Sequence, residues 1–405
     1  MDYIKAEEII SEKVKNIEIS GIRRFFNKIS NYKDVISLTL GQPDFKLPNR
    51  IKEELVKSIE EDKTTYTANA GLKDLRLEIE KYLKTMDINY NSEEICITVG
   101  GSEGLMCVFS TLLNVGGSEG LMCVFSTLLN EGDKVLIPTP AYPAYESCVK
   151  LLGGEILNYK LKNDFSIDFL DLENIIKKEK PKVMVLSYPS NPTGAILSKE
   201  ESCKLHKIIK ENNIIVISDE MYASLCFEEK YYSIAQFEDI KDKVILVSGF
   251  SKMFSMTGLR IGYVCANDEF INSIIKVHQY NVSCAPSICQ WGAYAGLKYC
   301  MKDVDCMKEE FIKRRDFVYD RLKYMGIDTY LPNGAFYMFP SIKKYNMTSE
   351  EFCEKLLKEA KVAIVPGSAF GEMGEGYIRI SYAYSMEELN EALNRMEAWL
   401  SKITM

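Results

Sequence analysis

A single lysine stands among small and hydroxyl residues in Ser248-Gly249-Phe250-Ser251-Lys252-Met253-Phe254-Ser255-Met256-Thr257-Gly258-Leu259-Arg260, directly behind the apolar run Val244-Ile245-Leu246-Val247. At a strand end, packed against apolar neighbours, its ammonium loses hydration and its pKa falls. Such an amine is a nucleophile near neutral pH and can form a Schiff base with an aldehyde. Ser251, the backbone N–H groups of the turn and Arg260 suit a phosphate. An aldehyde that also carries a phosphate points to pyridoxal 5'-phosphate. Taken alone, Lys252 reads more simply as a buried stem beside a tight turn, so the rest of the chain has to decide.

Four other positions carry matching chemistry. Asp219 closes the apolar run Ile214-Ile215-Val216-Ile217, and a carboxylate at a buried strand end needs a partner. A protonated pyridine nitrogen would be one, and the pair would keep the ring cationic as an electron sink. Glu220 reads as a structural or solvent-facing neighbour, while Tyr222 can hydrogen-bond the ring hydroxyl. In Ser187-Tyr188-Pro189-Ser190-Asn191-Pro192-Thr193-Gly194 the prolines and glycine aim the Asn191 amide, although a turn-forming asparagine is the plain alternative. Arg379 interrupts the strand-like run Tyr377 to Ser381. Its fork suits bidentate capture of a carboxylate, with a structural salt bridge as the usual alternative. The two histidines, His206 and His278, are far apart in helix-like stretches. Both read as structural, and no metal centre is expected.

These residues need a scaffold, and the chain supplies an α/β pattern. Apolar strands at 95–99, 134–138, 155–159, 182–187, 214–218, 244–248 and 261–265 alternate with helix-length segments. Short runs of this kind predict a mainly parallel seven-stranded sheet covered by helices on both faces. Ligands bind such sheets beyond the carboxyl ends of the strands, where Ser102, Tyr142, Asn191, Asp219 and Lys252 all fall. Ahead of the sheet, a short strand at 35–40 ends in Gly41-Gln42-Pro43-Asp44-Phe45, a turn that something can approach closely. Helices follow at 49–60, with Ile51, Leu55 and Ile59 at helical spacing, and at 72–84. Beyond residue 283 a long helical stretch over 286–325 gives way to strands at 335–339, 361–365 and 377–382, an α+β pattern. The expected division is a large cofactor-binding domain over 46–282 and a smaller α+β domain from 1–45 and 283–405. The glycine-rich 371–376 segment precedes a strand and reads as a connecting loop.

Composition narrows the class. With 405 residues the chain can bury a large core. A net charge of −8 advertises no basic face for nucleic acid. No apolar run reaches membrane-spanning length, and the N-terminus lacks a signal peptide's apolar stretch. Twelve cysteines without a C-x-x-C pair read as reduced core residues of a cytoplasmic protein. One feature stands apart: VGGSEGLMCVFSTLLN at 99–114 recurs unchanged at 115–130. Perfect identity points to a recent duplication or a cloning artefact. The first copy is expected to act, because strand 95–99 runs directly into Gly100-Gly101-Ser102-Glu103.

Several motifs resemble one family together. They are L-x-x-G-x-P-D-F at Leu38 to Phe45, Y-x-x-x-x-G at Tyr66 to Gly71, N-P-T-G at Asn191 to Gly194 and D-E-x-Y at Asp219 to Tyr222. The lysine motif, Ser251 to Arg260, joins them, as do Gly334-Ala335-Phe336-Tyr337 and Val365-Pro366-Gly367-Ser368-Ala369-Phe370. From about Ser20 to the C-terminus the chain resembles fold type I pyridoxal-phosphate aminotransferases of the aspartate aminotransferase superfamily. It is most similar to prokaryotic aspartate and aromatic amino-acid enzymes. The resemblance implies that Lys252 binds the cofactor aldehyde and then shuttles the substrate's Cα proton. It implies that Asp219 binds the pyridine nitrogen, that Asn191 and Tyr222 bind the ring hydroxyl, and that Tyr142 stacks on the ring. Ser102, Glu103 (by backbone), Ser251 and Arg260 would form the phosphate cup, and Arg379 with the Gly41 backbone the α-carboxylate site. Tyr66 would reach the partner's phosphate in a homodimer. Gly249 departs from relatives with another phosphate-binding hydroxyl there, and Ser102 from aspartate enzymes with a lysine. With Tyr142, Phe336 and Tyr337 near the site, the expected reaction moves an amino group between an aromatic or other uncharged L-amino acid and a 2-oxo acid, with 2-oxoglutarate the expected acceptor. Rival expectations are a carbon–sulfur β-lyase, and an inactive or cofactor-sensing relative.

Overall fold

The computed structural model describes Lys15 and residues 21–29, 32–112 and 133–403. The second copy of the repeat, 115–130, lies outside the described residues. Eight strands come first in the chain. They are β1 (Ile36–Ser37), β2 (Ile95–Thr98), β3 (Lys134–Thr139), β4 (Glu155–Lys160), β5 (Val183–Ser187), β6 (Ile215–Asp219), β7 (Val244–Gly249) and β8 (Gly262–Cys265). From β2 to β8 they make one seven-stranded sheet in the order β2-β8-β7-β6-β5-β3-β4. Only β8 runs antiparallel to its neighbours β2 and β7; the other pairs are parallel.

Successive residues of a strand point to opposite faces, and the sheet's burial obeys that period. Ile95, Ile97, Met184, Leu186, Val216, Val244 and Leu246 pack on one face with Leu75 and Ile79 of helix Lys73–Lys84 and Leu205 of helix Lys199–Glu211. Cys96, Val135, Val183, Val185, Ile217, Ile245 and Val247 pack on the other. There they meet Val108 of helix Gly100–Leu112, Val149 of helix Ala144–Leu152 and Ile274 of helix Asp268–Val282. A sheet buried on both sides requires continuous apolar strands, which is why the runs in the sequence are unbroken. Helix Lys199–Glu211 begins at a capping box, Ser198 with Glu201, satisfying two otherwise orphaned N–H groups.

A second core gathers Phe25, Leu38, Phe311, Phe336, Val362, Ile380 and Trp399. Its strands are short: β9 (Tyr337–Met338), β10 (Val362–Ala363), β11 (Val365–Pro366) and β12 (Ile378–Ser381). The order β11-β12-β9 is antiparallel, and β1 joins β10 in parallel. Several expected elements are shorter or divided. The stretch 286–325 splits at Cys300 into helices Ser287–Tyr299 and Met301–Tyr324. The first brings Gly292 and Gly296 against Leu55, Ile51 and Phe254; the second buries Phe311 and Leu322 in the other core. One straight helix could not face both. The expected strand 361–365 becomes β10 and β11 on either side of Ile364, each paired with a different strand. Ile59 is 54% exposed rather than core, because eight residues turn a helix about 80° past its starting face. The described cysteines are free thiols, most of them buried. No helix among the described residues is long and apolar enough to cross a membrane.

Candidate active site

The carboxyl ends of β3, β5, β6 and β7 open onto one cavity of about 680 Å³. Ser102, Tyr142, Asn191, Asp219, Tyr222, Ser251, Lys252, Arg260, Gly41 and Arg379 all line it. Tyr66, expected at a partner's phosphate, Glu103, expected to act by its backbone, and Phe336 are not among its lining. Tyr66 is 85% exposed. The Glu103 side chain turns away from the cavity, accepting a hydrogen bond from Val99 N at 3.0 Å. Phe336 also lies outside the wall, fully buried behind Tyr222 with ring centroids 5.5 Å apart. Tyr337 takes its place at the cavity.

Lys252 follows β7 in the one-turn helix Phe250–Met253, and its Nζ donates to the Gly41 carbonyl. Burial, then the positive charges of Arg260 and Arg379, push its pKa down to about 8. Asp219 ends β6. Burial pushes its carboxyl up, and two donors oppose that shift: Tyr145 Oη at 2.7 Å and Met221 N at 3.1 Å. Tyr145 also meets Ser187 Oγ at 2.9 Å. Glu220 is buried and structural, gathering hydroxyls from Ser218 at 2.9 Å, Tyr231 at 2.8 Å and Ser233.

At one end of the cavity Arg379 is fully buried on β12. Its guanidinium reaches the Asn191 side-chain oxygen at 3.0 Å and the Thr39 carbonyl, and lies 4.5 Å above the Tyr337 ring. Among the described residues Nε has no hydrogen-bond partner. A buried cation answered only by neutral oxygens is the environment of a group awaiting an anion. At the other end Gly100, at φ +74°, starts the helix Gly100–Leu112, and a Cβ there would come within 2.7 Å of the Arg260 guanidinium. Gly262 lies so close beneath that a Cβ would meet the Gly101 nitrogen at 2.7 Å. Gly249 is bounded in the same way, since a Cβ there would meet the Gly262 Cα at 2.9 Å, which explains the missing hydroxyl there. Helix N–H groups, Ser251 and Arg260 around such a cradle fit a phosphate. Among the described lining residues Asp219 is the only carboxylate, against three cations. The donor set therefore fits pyridoxal phosphate: an anion at each end, an amine between, and a carboxylate for a ring nitrogen.

Tyr145, Thr39 and Ser187 line the cavity but were not singled out in the sequence. Tyr145 had a readable signal, standing three residues after Tyr142 and so on the same face of the turn entering helix Ala144–Leu152. Thr39 had none, since it contributes a backbone carbonyl.

Fold and site together define a fold type I pyridoxal-phosphate transaminase. Comparison with known proteins agrees: residues 33–396 match the family Aminotransferase class I and II, and the chain belongs to that family. It is 43% identical to a probable N-acetyl-LL-diaminopimelate aminotransferase of Bacillus subtilis, covering 98% of this chain and 97% of the relative. It is 40% identical to an aspartate aminotransferase of Pyrococcus abyssi, covering 96% and 97%. Among solved structures, an aromatic aminotransferase from Pyrococcus horikoshii is similar at a TM-score of 0.84 and 37% identity, covering 93% of this chain and 99% of that one. The protein is a pyridoxal-phosphate-dependent aminotransferase acting on an amino acid and a 2-oxo acid.

Proposed function

We propose that Lys252 is the residue that binds the cofactor aldehyde and moves the substrate's proton, and that the substrates carry aromatic or other uncharged side chains. The observation that carries the first part is the Lys252 amine, with its pKa lowered to about 8 inside the cavity. Near neutral pH a useful fraction of it is unprotonated, as nucleophile and general base both require. Pyridoxal phosphate supplies the aldehyde that takes up the amino group and a ring that delocalises the electron pair left at Cα. Asp219 would keep a proton on the ring nitrogen, Asn191 and Tyr222 would bind the ring hydroxyl, and Tyr142 would stack on the ring. Ser102, the Glu103 backbone, Ser251 and Arg260 hold the phosphate. Arg379 and the Gly41 backbone orient the α-carboxylate, so that the Cα proton lies within reach of Lys252.

Support for an uncharged side chain comes from the wall. Lys252, Arg260 and Arg379 are the only basic side chains among the described lining residues, and each already has a task. Ile22, Leu40, Tyr142 and Tyr337 offer apolar and aromatic surface instead. Burying an aromatic side chain there contributes roughly 1.5–3 kcal/mol. With 2-oxoglutarate as acceptor, kcat/KM for phenylalanine should exceed that for aspartate; a strong preference for aspartate refutes the assignment.

The same reading extends to assembly. Residues 46–282 form the cofactor-carrying domain, and 1–45 with 283–405 the smaller one, supported by the β1–β10 pairing that ties the N-terminal segment to the C-terminal part. Helix Ser287–Tyr299 reaches back across that boundary onto Asn49–Glu60. The protein works as a cytoplasmic homodimer, with the outward Tyr66 reaching the partner's phosphate. Phosphate binding is the work of the repeat's first copy, whose Gly101 and Ser102 line the cavity.

A further inference from the structure

Behind the phosphate cradle, the Glu103 carboxylate joins three separate pieces of chain. One oxygen accepts from the Val99 backbone N–H at 3.0 Å, reaching back to the residue that links β2 to its helix. The other oxygen receives Cys107 Sγ at 2.8 Å, one helical turn on, and His278 Nδ1 at 3.0 Å from helix Asp268–Val282. His278 is completely buried, and its Nε2 has no hydrogen-bond partner among the described residues. A carboxylate oxygen only accepts, so the hydrogen between His278 and Glu103 sits on Nδ1, which donates to Glu103. Burial and the neighbouring carboxylate push the Cys107 thiol well above its usual range, so it stays protonated and able to donate. Three donors thus converge on one carboxylate, and Asn281 Nδ2 supports Cys107 at 3.5 Å.

We propose that Glu103 is a positioning residue: by gathering Val99 N–H, Cys107 Sγ–H and His278 Nδ1–H, it fixes the turn Val99–Ser102 and sets the aim of that turn's N–H groups at a phosphate. The physical reason is local. Gly100 takes a left-handed conformation, and Gly262 packs against the turn with no side chain of its own. Side-chain anchorage of this backbone therefore falls to Glu103 at the Val99 N–H and to Thr98 Oγ1, which donates to the Gly100 carbonyl at 3.1 Å. The proposal rests on the reading of this turn as the cofactor's phosphate site. It adds that phosphate affinity depends on a side chain facing away from the phosphate.

The test compares apoprotein affinity for pyridoxal 5'-phosphate with that for pyridoxal, which lacks the phosphate. In Glu103→Gln, Kd for the phosphorylated ligand should rise roughly tenfold while that for pyridoxal changes by less than about twofold. Inorganic phosphate should weaken as a competitor in parallel. Equal losses for both ligands, or no loss, overturn the proposal while leaving the cofactor assignment intact. A parent protein that binds both ligands equally overturns the phosphate reading and the proposal with it. Should Glu103→Gln fail to fold, Cys107→Ala and Cys107→Ser decide. The alanine variant should show a smaller phosphate-selective loss and the serine variant should restore it; identical behaviour of the two counts against the idea. The matching change in the repeat's second copy, Glu119→Gln, should leave both affinities unaltered, and a phosphate-selective loss there would move the role to that copy.

Discussion

The two ends of the cavity hold their anions in different ways. The phosphate end is built from turns that directly follow β2 and β7, with Arg260 exposed and donating to the Thr257 carbonyl at 2.9 Å. The carboxylate end is assembled from distant segments: Arg379 from β12, Asn191 after β5, Thr39 after β1 and Tyr337 from β9. There the cation is wholly buried and has a nitrogen without a hydrogen-bond partner among the described residues. A permanently bound phosphate can be held by many modest contacts around an open cradle. A carboxylate that must enter and leave in every cycle is better met by one desolvated fork already in place, because preorganised charge needs no rearrangement when the ligand arrives.

The largest expected effect lies between the two ends. Lys252→Ala should lower transamination by roughly a thousandfold or more, with cofactor still held through Asp219 and Arg260; turnover near the parental rate would defeat the assigned mechanism. Next comes a direct contrast of the ends. Arg379→Ala should lower kcat/KM for amino acid and oxo acid by roughly a hundredfold at unchanged cofactor affinity. Arg260→Ala should weaken cofactor binding, with the amino-acid KM preserved at saturating cofactor. If both variants lose both properties together, the ends are not independent.

A smaller effect is expected at Tyr145. Removing its hydroxyl leaves Asp219, already pushed up by burial, with only the Met221 N–H. Tyr145→Phe should reduce kcat roughly three- to tenfold and shift the pH titration of the bound cofactor's absorbance. An unmoved titration would confine Tyr145 to packing.

The smallest effect concerns stability without cofactor. An unfolded lysine keeps its proton up to about pH 10.5, whereas folded Lys252 releases it near 8. Between those values the unfolded state binds more protons, so this group makes stability rise with pH; below 8 its penalty is constant. Chemical denaturation of the apoprotein at about pH 7.5 and 9.5 should show a shallower rise in Lys252→Met than in the parent. Equal slopes would mean that Lys252 is not desolvated.

Much of this site was legible in advance because its chemistry is attached to strand ends. An apolar run that must be buried ends where the chain turns, and a polar residue there faces whatever lies beyond the sheet. That logic located Ser102, Tyr142, Asn191, Asp219 and Lys252 without any knowledge of strand order. Arg379 was legible too, since an arginine inside an apolar strand is costly unless it has an anion to meet. Other features depend on contacts between distant segments. Asp44 of the P-D-F motif turns out to pair with Arg314 at 2.7 Å, and Tyr145 serves Asp219 across 74 positions of sequence.

The sequence by itself determined the strands, the order of polar residues at their ends and the family motifs, because these follow from local periodicity and residue type. Only the tertiary structure decided that β8 runs antiparallel, that the 286–325 stretch breaks at Cys300 to serve two cores, and that Phe336 withdraws while Tyr337 faces the cavity. It also decided that the Glu103 side chain faces His278, 175 positions away. Such outcomes depend on which surfaces meet, and a side chain's direction is settled by the partner available on each side of its backbone.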